Sequence, residues 1–124
     1  MKIYRPWLAL LSAFLPVFAL SACRSPHVDI TVDNRTGTPV RLLEIDYPRA
    51  SFGADNLDAG KVMHYRIQVQ GQGLIKVQYT GADGRQVQFD GPQLAEGDSG
   101  NLEIELQPAG KPIFRPQFQG ASRN

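Results

Sequence analysis

The 124-residue sequence has one cysteine, Cys23, and two histidines, His27 and His64. A single cysteine excludes a disulfide within the chain, so stability must come from an ordinary apolar core. Neither histidine has a second ligand at a supporting spacing, which argues against a zinc-type centre; both read as solvated surface residues. Asp55, Asn56 and Asp58 fall short of the alternating oxygen ligands and later Glu of a calcium loop. No metal and no non-covalent cofactor is expected. Helical periodicity is missing beyond the first two dozen residues, and with it the strand-to-helix loop that cradles phosphates. An excess of charge of either sign is missing too. With 13 Lys plus Arg against 12 Asp plus Glu, the chain lacks the basic patch that nucleic acid requires.

Catalytic constellations are equally scarce. Ser51 is the only serine in a structured-looking neighbourhood, and no Gly-x-Ser-x-Gly elbow surrounds it. Glu103 and Glu105 stand two apart on one strand, facing outward, with no cleft to define a carboxylate pair. The sequence therefore does not read as an enzyme.

What is present is alternation. Val28, Ile30 and Val32 alternate with polar residues, as do Met63, Tyr65, Ile67 and Val69, then Ile75, Val77 and Tyr79, then Val87 and Phe89, then Leu102, Ile104 and Leu106. This period of two marks half-buried strands. Between Val40 and Tyr47 the apolar parity switches at Leu42-Leu43, which predicts a β-bulge. Asn34-Arg35-Thr36 matches a glycosylation sequon but reads as a turn. Tyr47 to Gly53 reads as a compact connection, residues 55–60 and 91–100 as loops. The turns at Gly71-Gln72-Gly73 and Gly81 to Gly84 make residues 62–90 a three-stranded antiparallel meander. The fold class expected is all-β: a small antiparallel β-sandwich of six to seven strands, immunoglobulin-like or transthyretin-like, with an open barrel as the alternative. The sandwich should occupy residues 28–107. Residues 108–124, with three prolines and no acid, should form a partly disordered tail with a short edge piece at Ile113-Phe114.

The first 22 residues are of another kind. Lys2 and Arg5 precede an apolar run from Trp7 to Ala19, and Ser21 and Ala22 stand before Cys23. This is the layout of a secretory signal peptide, with an apolar run too short to span a bilayer comfortably. Leu20-Ser21-Ala22-Cys23 resembles the lipobox of bacterial lipoproteins. The resemblance implies removal of residues 1–22, a diacylglyceryl group on the Cys23 thiol and a membrane anchor in that lipid. Arg24, where Asp would favour retention at the inner membrane, points within that resemblance to the outer membrane. Each buried CH₂ contributes about 0.8 kcal/mol, so two or three acyl chains hold where one is marginal. Residues 23–27 would then be a lipidated tether, and 102 of the 124 residues remain, enough for one domain.

Two surfaces are candidates for binding. In the predicted meander His64, Arg66, Gln68, Gln70, Gln78, Gln86 and Gln88 would share one outer face, a polar field suited to glycan or peptide backbone. Tyr47, Arg49 and Phe52 would form an aromatic contact patch or plug the open end of the sandwich. The functional expectation is an envelope module, anchored by lipid, that binds a protein partner without catalysis. The alternative is an envelope glycan (peptidoglycan) binder.

Overall fold

The structure, a computed structural model, describes residues 25–119. Eight strands follow in order: β1 (Val28–Asn34), β2 (Val40–Tyr47), β3 (Ala50–Leu57), β4 (Val62–Ile67), β5 (Gln72–Thr80), β6 (Gln86–Ala95), β7 (Ser99–Leu106) and β8 (Ile113–Gln119). They form two four-stranded sheets, ordered β4-β1-β7-β8 and β3-β2-β5-β6. Every pairing is antiparallel except β1 with β7. This is a β-sandwich. In an immunoglobulin domain the first two strands share a sheet; here β1 and β2 lie in opposite sheets, leaving the transthyretin-like arrangement of the two expected.

The core follows from the alternation. Val28, Ile30, Val32, Leu102, Ile104 and Leu106 from the first sheet meet Val40, Leu43, Ile45, Ile75, Val77 and Leu94 from the second, all essentially without solvent exposure. Burying a Val, Leu or Ile side chain contributes about 1.5–3 kcal/mol, so this set is the main source of stability. The bulge expected in β2 is present. The four residues of β2 from Arg41 to Glu44 stand opposite the three of β5 from Thr80 to Gln78. The extra residue is Leu42, held at φ +51° and pushed into solvent at 61% exposure. Val40, Leu43 and Ile45 are thereby all brought to the core, as an inserted residue re-phases a strand.

Four expectations are corrected. The chain does not turn back at Gly71-Gln72-Gly73 into a hairpin: β4 pairs with β1 in the first sheet, and β5 with β2 and β6 in the second. Residues 68–71 cross between the sheets, and Val69, 3% exposed, is carried into the core by that crossing. The segment Ala50 to Leu57 is a full edge strand on β2, held by the burial of Phe52 and Leu57. Strand β6 runs on through Gly91-Pro92 to Ala95, across a second register shift opposite Leu74 to Lys76; an edge strand tolerates proline at such a bulge. Finally, residues 113–119 are not a loose tail. They form β8, paired along β7, so the sandwich extends through Gln119 and does not stop at residue 107.

Strand β8 is pinned from both faces. Phe114 and Phe118 pack against the core. Outside, the Arg115 guanidinium reaches Glu103 at 3.1 Å and Glu105 at 2.7 Å. Hydrogen bonds from Arg115 and then Gln107 hold the Glu105 carboxyl below its usual range. A carboxylate with a depressed folded-state pKa adds stability above its unfolded value and loses it as pH falls through the folded value. The stability difference between wild type and Arg115→Ala should therefore be largest near neutral pH and shrink on acidification below about pH 4.5. Urea titrations across pH 3–7 check this; a constant difference would show that Arg115 acts only through packing.

Candidate binding site at one end of the sandwich

The polar field expected from the meander is broken up by the crossing at residues 68–71. His64 and Arg66 lie on the outer face of the first sheet. Gln78, Gln86 and Gln88 belong to the second, where Gln78 pairs with Gln88 and Thr80 with Gln86. Gln68 and Gln70 sit in the crossing segment, in neither sheet. The face proposed for glycan is thus not one surface. On the first sheet the polar groups satisfy each other: Arg66 donates to Asp29 at 2.8 Å, His64 Nδ1 lies 3.2 Å from Thr31 Oγ1, and Arg115 bridges Glu103 and Glu105. These are cross-strand neighbours, the pairing that stabilises a solvated sheet face.

Tyr47, Arg49 and Phe52 do not form an exposed patch either. Phe52 is buried and stacks on Tyr65 with ring centroids 4.3 Å apart, closing the edge between β3 and β4. Tyr47 tilts against Phe52 at 6.2 Å, and burial, with the nearby Tyr65, raises its phenol pKa. Only Arg49 is exposed, at φ +70° in the turn between β2 and β3. The aromatic rings thus close the side of the sandwich between β3 and β4 and not its open end. Ser51 is exposed on β3 opposite Asp46, and among the described residues no three His, Cys, Asp or Glu side chains gather as a metal site would require.

The cleft worth attention lies elsewhere. Its walls are three loops: the β1–β2 turn with Thr36 and Thr38, the β5–β6 turn from Gly81 to Arg85, and the β7–β8 loop from Gln107 to Gly110. Its floor is Val40, Tyr79, Val87 and Phe89. The volume is about 460 Å³, within the range of ligand sites. The floor is apolar because these residues sit on inward positions of β2, β5 and β6 close to the strand ends. Tyr79 tilts against Phe89 at 6.4 Å, and burial raises its phenol pKa. Below the cleft, Phe114 of β8 fills the gap between the sheets against Gly91. A Cβ at that glycine would stand 2.5 Å from Ile75 Cγ2 and 2.7 Å from Phe114 Cε1. The edge between β6 and β8 is therefore sealed at mid-height, at the lower limit of the cleft.

The rim is ordered from within. Asn34, fully buried, accepts from the N–H and Oγ1 of Thr36 and donates to the carbonyls of Thr38 and Leu57. The sequon reading as a turn holds: the Asn34 amide nitrogen spends both hydrogens on protein carbonyls. Asp83 caps the opposite turn, accepting the Arg85 N–H at 2.9 Å. The Arg85 guanidinium has no ion-pair partner among the described residues, and neither has Lys111 on the β7–β8 loop. The rim loops carry Arg85 and Lys111 against Asp83, a net charge of +1, and above an apolar floor this suits a ligand with an apolar body and an acidic group.

The strand directions fix where the cleft lies. Strand β1 leaves Ser25–His27 and runs toward Asn34, and the three cleft loops all lie at the Asn34 end. The β2–β3 turn, the crossing and the β6–β7 turn lie at the other, where β8 also ends. Residues 25–27 and the cleft thus occupy opposite ends of the sandwich. Cys23, Arg24 and the segment before them lie outside the described residues. Comparison with protein-family models, with curated proteins and with solved structures finds no match to the chain.

Sequence reasoning missed the cleft because its walls, at residues 36–38, 81–85 and 107–110, are 22 to 74 residues apart along the chain. The available signal was weak: three turns, at residues 35–39, 81–85 and 107–112, that follow or precede strands running in the same sense.

Proposed function

We propose that the chain is a lipid-anchored cell-envelope lipoprotein, held through Cys23, that binds a protein partner without catalysis. The observation that carries this reading is the opposition of tether and cleft. Val28, where β1 begins, is the fifth residue after Cys23, so a lipid on that cysteine keeps one end of the sandwich at the membrane. The cleft at the Asn34 end then faces away from the bilayer, where a partner has access. Arg24 favours the outer membrane within the lipobox resemblance. The near balance of charge supports the lipid as the holding element, because a juxtamembrane polybasic cluster is lacking.

Intact-mass measurement of membrane-extracted protein tests the anchor. Wild type should begin at Cys23 and carry added acyl mass; Cys23→Ser should lack that mass and leave the membrane fraction. An unmodified, freely soluble wild-type chain would overturn the lipoprotein reading.

A further inference from the structure

A sandwich of this kind has four strand edges, and each is a template for pairing unless guarded. Three are guarded here. Strand β4 has six residues, with His64 and Arg66 among them, and the Phe52–Tyr65 stack lies across its side of the sandwich. Strand β3 contains Gly53, Ala54 and Asp55, poor strand formers, and β8 contains Arg115 and Pro116. Strand β6 is guarded in its second half only, by Asp90 and Pro92. Its first four residues, Gln86-Val87-Gln88-Phe89, hold neither charge nor proline. This unguarded half lies above the Gly91–Phe114 seal, and its Val87 and Phe89 are the half-buried floor of the cleft. Arg85, without an ion-pair partner, stands at its start, and Lys111 lies on the loop across the cleft.

We infer that the open edge of β6 at Gln86–Phe89 takes an extended, acidic peptide segment of a partner protein, adding it as a strand and seating its apolar side chains in the cleft. Main-chain pairing supplies affinity in such β-addition, and alternate side chains supply selectivity. Here apolar residues face Tyr79, Val87 and Phe89, and acidic residues complement Arg85 in the lining and Lys111 on the adjoining β7–β8 loop. The inference rests on the binding-module reading and specifies its partner. Anchor and peptide are read by separate measurements, so either can fail without the other.

The test uses the full chain, extracted in detergent and challenged with phage-displayed random peptides. Enriched peptides should alternate apolar residues with Asp or Glu. Bound peptide should slow hydrogen exchange at the amides of residues 86–90. Arg85→Glu, a change at an exposed turn, should weaken binding about tenfold through charge reversal. Val87→Lys, which puts a cation on the cleft floor, should abolish seating of the apolar side chains. No enrichment, enrichment of basic or non-alternating peptides, protection at another edge, or undiminished binding by Arg85→Glu would each overturn the inference.

Discussion

Replacing Asn34 with alanine should cost about 3–5 kcal/mol of folding stability, a large part of the roughly 5–15 kcal/mol that a domain of this size possesses. The side chain is fully buried and makes four hydrogen bonds: Nδ2 to the carbonyls of Thr38 at 2.8 Å and Leu57 at 2.9 Å, Oδ1 from Thr36 N at 3.0 Å and Thr36 Oγ1 at 2.7 Å. Its backbone is also committed, to Lys61 and Gly60. The residue thus ties the β1–β2 turn to the β3–β4 connection across the sandwich. Truncation leaves the Leu57 carbonyl and the Thr36 N–H without their partners, and each buried group so orphaned costs about 1–3 kcal/mol. Asn34→Asp should do no better, because a carboxylate would face two carbonyl oxygens with no proton to offer. Urea midpoints measure the effect, and a loss below about 1 kcal/mol would mean that water replaces the lost bonds. Because Thr36 and Thr38 line the cleft, the same substitution should loosen it even where the domain still folds.

The second large effect is expected at Gly53. A Cβ there would collide with the backbone carbonyl of Leu43 and press on Cα of Glu44 at 3.1 Å. A side chain can swing aside, but a strand carbonyl next to the Leu42 bulge cannot. Gly53→Ala should therefore cost about 2–4 kcal/mol, by parting β3 from β2 or distorting the bulge. Gly73→Ala is the matched control. It is also in a strand, its added methyl meets only Pro48 Cγ at 3.6 Å, and its cost should stay within about 0.5 kcal/mol. Thermal melts of the two variants side by side decide the matter; equal costs would show that loss of glycine flexibility, not collision, sets the effect.

Most core residues were legible from alternation alone, because a buried face repeats every second residue whatever the strand order. The bulge at Leu42-Leu43 was legible for the same reason, as a break in that repeat. Sheet membership was not. The apolar alternation Met63, Tyr65, Ile67, Val69 continues unbroken through the point where the chain leaves one sheet for the other, since Val69 is buried in the crossing as firmly as Ile67 in the strand. Nothing local marks that departure, and the glycines that follow look like a hairpin turn. The Gln-rich surface failed with it. The greater part of strands β3 and β8 was missed on composition: Gly53, Asp55, Asn56 and Pro116 are poor strand formers, overridden by the burial of Phe52 and Leu57 and by the cross-strand grip of Glu103 and Glu105 on Arg115. The cleft depends on three loops brought together by topology, which no local pattern records.

The parallel pairing of β1 with β7 sets an order in time as well as in space. Val28 lies beside Gly100, and even the nearer partner of β1 begins only at Val62. A chain emerging from its amino end therefore displays Val28, Ile30 and Val32 as an unsatisfied ribbon until almost the whole domain has followed. Folding dominated by such distant pairings is slow, on the order of milliseconds to seconds. A fragment ending before Ser99 would never cover that side of β1, and would be a sticky template for its own copies. The first strand to appear is thus among the last to be sheltered, and whatever escorts the chain must hold it until the seventh arrives.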